Sequence, residues 1–146
     1  MSATRQYCTF YLGDQYFGLD VLKVQEIVRH QPLTRVPLAH PMVRGLINLR
    51  GQIVTAIDLR KRLDLPASTE NFEPVNVVVQ TDDGAVSLLV DEIGDVLEVS
   101  EENFERPPAT LQGASRDLVQ GAYKLADQLL VILDPELIVT VPAGRS

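Results

Sequence analysis

The 146-residue chain has the length of one domain, and at that size folding hides about two-thirds of the extended-chain surface, so a core needs no disulfide or metal staple. Its 45% apolar and 23% charged residues, with 9 Gly and 9 Pro, exclude a collagen-like or disordered chain. The net charge of −7 argues against a nucleic-acid partner, which requires a concentrated basic surface.

The charge is unevenly spread. Residues 1–66 carry nine Lys/Arg and five Asp/Glu, a net +4, whereas residues 67–146 carry four and fifteen, a net −11. Arg29, Arg35, Arg44, Arg50, Arg60 and Arg62 are interleaved with apolar residues and lack a row of stacking aromatics, so they read as protein-contact or solvated residues. A single cysteine, Cys8, excludes an internal disulfide and a thiolate metal cluster. The longest run without a charged residue, Pro107 to Ser115, is nine positions, short of the roughly 18 to 20 that a spanning helix needs. The start, MSATRQYCTFYLG, has one basic residue and no sustained apolar run, unlike a signal peptide. Together these features point to a cytoplasmic protein.

Along the chain, Tyr7, Thr9 and Tyr11 alternate with Cys8, Phe10 and Leu12, the period of a strand, and Gly13-Asp14 marks a turn. A short helical turn is expected at Asp20 to Val24. Val21, Val24, Ile27 and Val28 have helical spacing, but their β-branched side chains favour a strand, and on these residues alone both options stay open. A second helical turn is expected at Pro41 to Arg44, then β runs at 46–50 and 52–58 about an Arg50-Gly51 turn, then a helical turn at Leu59 to Leu63. A run at 75–81 leads through Thr81-Asp82-Asp83-Gly84, a type I′ hairpin signal, into Val86, Leu88 and Val90 alternating with Ala85, Ser87 and Leu89. Runs at 94–99, 118–125 and 128–134 follow, with a turn at Ala126-Asp127 and a last helical turn at Asp134 to Leu137. Many short strands joined by tight turns predict an all-β chain, as barrels or a sandwich.

Val43 to Asp58 (VRGLINLRGQIVTAID) aligns without gaps on Val119 to Asp134 (VQGAYKLADQLLVILD), with five of sixteen positions identical at an offset of 76. Each copy reads as strand, turn, strand, helical turn, which suggests two related small barrels, each closing its sheet to remove exposed edges.

Chemistry-bearing motifs are missing. The sequence has no phosphate-binding glycine loop, no H-E-x-x-H, no C-x-x-C and no G-x-S-x-G. His30 and His40 are separated by Pro32 and Pro37 and read as solvated loop residues, not a ligand pair. Asp82-Asp83, Glu101-Glu102 and the cluster Asp91, Glu92 and Asp95 are the candidate acids for proton transfer or metal binding. Neighbouring strand carboxylates point to opposite faces, and none matches a calcium loop, so structural roles are expected. No catalytic residue, metal or cofactor is expected.

The stretch Phe17 to Leu63 reads FGLDVLKVQEIVRHQPLTRVPLAHPMVRGLINLRGQIVTAIDLRKRL. It resembles the CheW-type chemotaxis coupling proteins, in which FG-[IL]-D, V-x-E-I, T-R-[VI]-P, V-R-G-[LI]-x-N-L-R-G and a D-L-R segment occur in this order. The likeness continues more loosely through VNVVVQT, LLVDEIGDVLEV and the last strand, covering nearly the whole chain. The resemblance implies two small SH3-like five-stranded β-barrel subdomains, roughly 14–66 and 67–138 with terminal strands exchanged, and a few short helical turns. It also implies a strand at Gln25 to Arg29. The implied role is a non-enzymatic adaptor, recruited to receptor arrays, that bridges the cytoplasmic tip of methyl-accepting chemoreceptors to the regulatory domain of the histidine kinase CheA. It implies a free monomer and no nucleic-acid or direct membrane partner.

Residue by residue, Arg50 matches the family's characteristic arginine and Glu26 an acidic partner-binding position. Without the motif they read as a solvated turn arginine and a solvated strand glutamate, forming a surface bridge of small worth. Val24, Val75 and Val96 match apolar positions of a receptor-facing groove, and Gly45 a glycine preceding a buried strand. Ser87 departs from a position that is glycine in some relatives. The short tails are expected to exclude a fused receiver domain of the CheV type. The competing readings are an adaptor of a chemosensory system controlling pili or biofilm, a small enzyme using Asp91, Glu92 or Asp95, and a peptide-binding SH3-like module. The last is disfavoured by the absence of Trp and by only four Phe and four Tyr for an aromatic groove.

Overall fold

The computed structural model describes residues 3–29, 31–66, 74–82, 84–106 and 117–140. In chain order it places β1 (Thr4–Leu12), β2 (Gln15–Asp20), a 3-10 turn (Val21–Lys23), β3 (Val24–Val28), β4 (Val43–Leu49), β5 (Gln52–Asp58) and α1 (Leu59–Arg62). These are followed by β6 (Val75–Thr81), β7 (Gly84–Val90), β8 (Glu92–Ser100), a 3-10 turn (Glu101–Asn103), β9 (Val119–Lys124), β10 (Leu129–Leu133) and α2 (Pro135–Ile138).

The strands form two five-stranded sheets, ordered β8-β1-β2-β10-β9 and β3-β6-β7-β5-β4. Each sheet is drawn towards closure by one further bridge. The chain leaving β3 returns as Thr34 to pair with Leu46 of β4, and the chain leaving β8 returns as Glu105 to pair with Ala122 of β9. The alternation of side chains then sorts the apolar residues into three clusters. Tyr7, Tyr16, Tyr123, Leu130 and Ile132 fill the first sheet's interior, whereas Ile47, Leu49, Val54, Ala56, Val78 and Leu89 fill the second's. Phe10, Leu12, Phe17 and Leu19 of the first sheet meet Ile57, Val77, Val79 and Leu88 of the second in a shared cluster between the sheets. Hence β6 is buried on both faces, with Val77 and Val79 turned to the other sheet and Val78 to its own interior.

The internal repeat has a structural counterpart. Both copies are antiparallel hairpins, β4–β5 and β9–β10, and in both the second strand pairs in parallel with a strand of another hairpin, β7 or β2. The aspartate that ends each copy caps the helical turn that follows: Asp58 accepts from Lys61 N, and Asp134 from Glu136 N and Leu137 N. The second sheet is one continuous stretch, an edge strand, a hairpin, α1 and another hairpin. The first sheet has the same plan, but its last hairpin is β1–β2 from the chain's beginning. The strands of the second sheet lie within residues 24–90, those of the first within 4–20 and 92–133.

Several local expectations need correction. No helical turn forms at Pro41 to Arg44, because β4 already starts at Val43 and only a turn at 41–42 precedes it. Of the two options open at Val21 to Val28 the structure takes a 3-10 turn and then a strand, as the resemblance implies, since Asp20 accepts from Leu22 N and fixes a three-residue turn, after which Val24, Ile27 and Val28 favour extended backbone. A strand from Gln15 to Asp20 was not expected; its Tyr16-Phe17-Gly18-Leu19 core is buried on both faces and lacks a polar alternate. His40 is half-buried, not solvated, and its Nδ1 accepts from Met42 N at 3.1 Å; His30 and Asp83 lie outside the described residues.

Candidate functional site

The β4–β5 hairpin ends in a two-residue loop, with Leu49 opposite Gln52. Arg50 (φ 51°) and Gly51 (φ 90°) both lie at positive φ, the backbone of a type I′ turn. Asn48 supports it by accepting from Gly51 N at 2.8 Å. At the first position of such a turn asparagine or glycine is favoured, and a longer side chain costs about 1 kcal/mol. The turn thus holds an arginine against local preference, and strain of this kind marks functional positions.

The guanidinium of Arg50 donates to the carboxylate of Glu26 on β3, which also accepts from Gln25 Nε2 at 3.3 Å. The pairing depends on the register of β3 on β6, where a bulge between Val24 and Glu26 brings Glu26 opposite Val78. Arg50 keeps 70% of its side chain in solvent while Glu26 keeps 24%, so the arginine presents donors to a partner and the glutamate orients it. The hydrogen bond from Arg50 holds the Glu26 carboxyl below its ordinary value of 4.5. A depressed carboxylate keeps the pair intact above that value and loses it as pH falls through the lower, folded one. A carboxyl NMR titration of Glu26 is therefore expected to give a midpoint below 4.5 in the wild type and one shifted upward in Arg50→Ala; equal midpoints would contradict the pairing.

The other expected residues are more dispersed. Val24 is half-buried on β3 and packs against the cluster between the sheets, and Val75, 9% exposed, is a member of that cluster. Val96 lies on the other sheet, opposite Cys8, and is 54% exposed. Gly45 (φ 154°) lies beneath the Thr34 bridge, where an added Cβ would fall 2.6 Å from the Thr34 carbonyl oxygen. Ser87 is fully buried, and its hydroxyl donates to Asn76 Oδ1 at 2.8 Å, so the departure from glycine is accommodated inside the second sheet.

Apolar residues that the sequence reading did not single out are exposed near Val24. Leu22, in the 3-10 turn, is 87% exposed, and Ile27 on β3 and Leu137 on α2 are also exposed. An ion pair between Lys23 and Glu136 at 3.4 Å joins the 3-10 turn to α2. At the far end of β4–β5 from Arg50 lies a separate open cleft of about 1230 Å³, lined by Leu33, Val36, Leu38, Arg35, Arg44 and Asp58 among others. Leu38 at its rim is fully exposed at φ 65°.

Two of the candidate acids are bound up in structure, whereas Glu92 and Asp95 are exposed on β8. Asp91 is clamped by Arg60 through both carboxylate oxygens and accepts from Gly13 N at 2.6 Å, joining α1 to the β1–β2 turn. Glu101 pairs with Arg5 at 2.6 Å. Among the described residues no group of three or more His, Cys, Asp and Glu is placed to hold a metal ion, and no helix is long and apolar enough to cross a membrane.

The family model for the CheW-like domain matches residues 6–142. The chain is 31% identical over 133 residues to a chemotaxis protein CheW of Treponema pallidum, covering 88% of this chain and 78% of that protein. It is 32% identical over 137 residues to one of Bacillus subtilis, covering 94% and 88%. The crystal structure of the scaffolding protein TtCheW from Thermoanaerobacter tengcongensis superposes with a TM-score of 0.85 at 26% identity, over 98% of this chain and 97% of that one. With a family model that spans residues 6–142 and two five-stranded sheets that superpose on a CheW scaffold, the chain belongs to the CheW family of non-catalytic chemotaxis coupling proteins.

Proposed function

We propose that the protein is a cytoplasmic, monomeric adaptor that joins the tip of methyl-accepting chemoreceptors to the regulatory domain of a CheA-type kinase. The observation that carries this reading is the Arg50–Glu26 pair, an exposed guanidinium held on a strained turn by an oriented carboxylate. Arg50 and Glu26 serve the receptor, with Val24 and Val96 as apolar contacts; Val75 and Gly45 act through packing beneath that surface. The seven-residue length of β4, about 20 Å, separates this end from the cleft at residues 33–44, leaving room for two partners at once. Two modest interfaces joined in one array gain avidity that neither has alone, and a receptor change then shifts the kinase between states.

Calorimetric titration with a co-encoded receptor-tip fragment and, separately, the kinase regulatory domain tests the reading. Both are expected to saturate. Arg50→Ala is expected to weaken the receptor arm by about tenfold or more with the kinase arm unchanged, and Arg50→Lys to rescue it poorly, because a single ammonium cannot reproduce the planar fork. Full receptor binding by Arg50→Lys would remove the geometric role of the guanidinium, and absence of binding to both partners would overturn the reading.

A further inference from the structure

Thr9, Asn76 and Ser87 are the buried polar side chains among the described residues, and two of them meet inside the second sheet. Ser87 on β7 donates to Asn76 Oδ1 on β6 at 2.8 Å. With its oxygen engaged, the amide turns Nδ2 the other way, where it donates to the Arg29 carbonyl at 3.3 Å. A valine and an alanine would fill these positions without any polar group to desolvate, so the pair asks for a role beyond filling space.

The contact falls where β3 runs out of partners. Val28 opposite Asn76 is the last pair of the β3–β6 ladder, and Arg29 is the first residue beyond it. The amide thus carries the hold on this edge strand one residue further. At the other end, Asp20 caps the 3-10 turn that leads into β3. Between the two anchors lies the bulge that sets Val24 opposite Val79 and Glu26 opposite Val78. If β3 slipped by one residue and lost the bulge, Glu26 would stand opposite Val77, whose side chain turns to the other sheet, and its carboxylate would leave Arg50. A five-residue edge strand tied at both ends cannot make that slip.

The first sheet offers an internal comparison. Asn76 and Tyr7 each stand five residues before the last pair of their hairpin, Thr81–Gly84 or Leu12–Gln15, and Ser87 and Gly18 stand three residues after it. There the place is closed by a large residue over a small one: a Cβ added to Gly18 would lie 3.3 Å from Tyr7 Cβ. The repeat also puts Ala126-Asp127 where the second sheet has Arg50-Gly51. The Asn–Ser pair therefore belongs to the half of the fold that carries the Arg50–Glu26 site.

We propose that Asn76, oriented by Ser87, is a positioning residue that holds β3 in its bulged register and so keeps the Glu26 carboxylate on Arg50. The inference rests on the Arg50–Glu26 reading above and adds the internal device that presents the pair.

The test uses the full chain, the co-encoded receptor-tip fragment and the kinase regulatory domain. Asn76→Val strands the Ser87 hydroxyl and is expected to lose stability, whereas Asn76→Val/Ser87→Ala removes both partners and is expected to unfold close to the wild-type urea midpoint. The double variant nevertheless leaves the Arg29 carbonyl unheld. Its Glu26 carboxyl midpoint, read by NMR, is expected to move up from the wild-type value towards 4.5, the direction also expected of Arg50→Ala. Its receptor affinity is expected to fall about fivefold, the ordinary worth of one hydrogen bond, with kinase affinity within about twofold of wild type. A stable double variant with an unmoved Glu26 midpoint would overturn the inference, as would receptor losses that follow the urea midpoint across the variants, because both describe a pair that only supports the core. If the wild type does not bind the receptor fragment, the receptor reading falls, and the Glu26 midpoint still decides whether Asn76 positions the pair.

Discussion

Phe10→Ala is expected to lower the free energy of unfolding by about 3–5 kcal/mol, the usual cost of emptying a buried aromatic site. Phe10 is fully buried, stacks on Phe17 at a centroid distance of 6.0 Å, and sits in the cluster that both sheets share. Its loss should therefore weaken both sheets together, and unfolding should stay a single transition. The sequence supplies a check on that cooperativity, because it has no Trp and its four tyrosines, Tyr7, Tyr11, Tyr16 and Tyr123, all lie on strands of the first sheet. Tyrosine fluorescence reports that sheet alone, whereas far-ultraviolet circular dichroism reports both. Coincident urea midpoints in wild type and variant, displaced together, are the expected result. Separate midpoints would show that the shared cluster does not couple the sheets.

The same cluster explains why a two-sheet protein can serve as a rigid adaptor. Sheet interiors alone would leave two small bodies free to rotate, since each contributes only a few large side chains. The shared cluster, the Arg60–Asp91 clamp reaching the β1–β2 turn, and Arg62 reaching α2 fix their relation. A partner that touches both sheets meets a preformed surface and avoids an ordering cost on binding.

Period-two alternation and short apolar runs bounded by turn signals made most strands legible in the sequence, including β6, which is buried on both faces. It failed at Gln15–Asp20, where Tyr16, Phe17, Gly18 and Leu19 are all buried and no alternation exists to read. Helical spacing at Val21 to Val28 left helix and strand open, because periodicity ignores the Asp20 cap that limits the turn to three residues. Glu26 and Arg50, 24 positions apart, stood out through their motifs, but their contact depends on a bulge and a turn type that no local pattern encodes. Leu22 and Leu137 were not singled out as site residues, because their exposure arises only when the 3-10 turn and α2 are brought together from two parts of the chain.

The two glycines aligned by the internal repeat offer a sharper test of that duplication than sequence identity does. Gly45 and Gly121 occupy the same place in their hairpins, each under the single bridge that draws its sheet towards closure. At Gly45 an added Cβ would meet the Thr34 carbonyl, and the φ of 154° is itself unfavourable for an L-residue; at Gly121 it would collide with the Phe104 ring and the Glu105 carbonyl. Overpacking costs about 1–3 kcal/mol and an unfavourable φ about 1–2 more, so Gly45→Ala is expected to lose roughly 2–5 kcal/mol. Gly121→Ala is expected to lose about 1–3 kcal/mol from crowding alone. Removing the ring in Gly121→Ala/Phe104→Ala should recover only part of the loss, because the backbone carbonyl of Glu105 stays where the bridge to Ala122 holds it. Full recovery in the double variant would mean that the ring alone requires the glycine, and that the crossing of backbone on backbone is a constraint of the second sheet only. Partial recovery, with both single variants destabilised in chemical denaturation, would establish the glycine under the closing bridge as a requirement common to both halves of the fold.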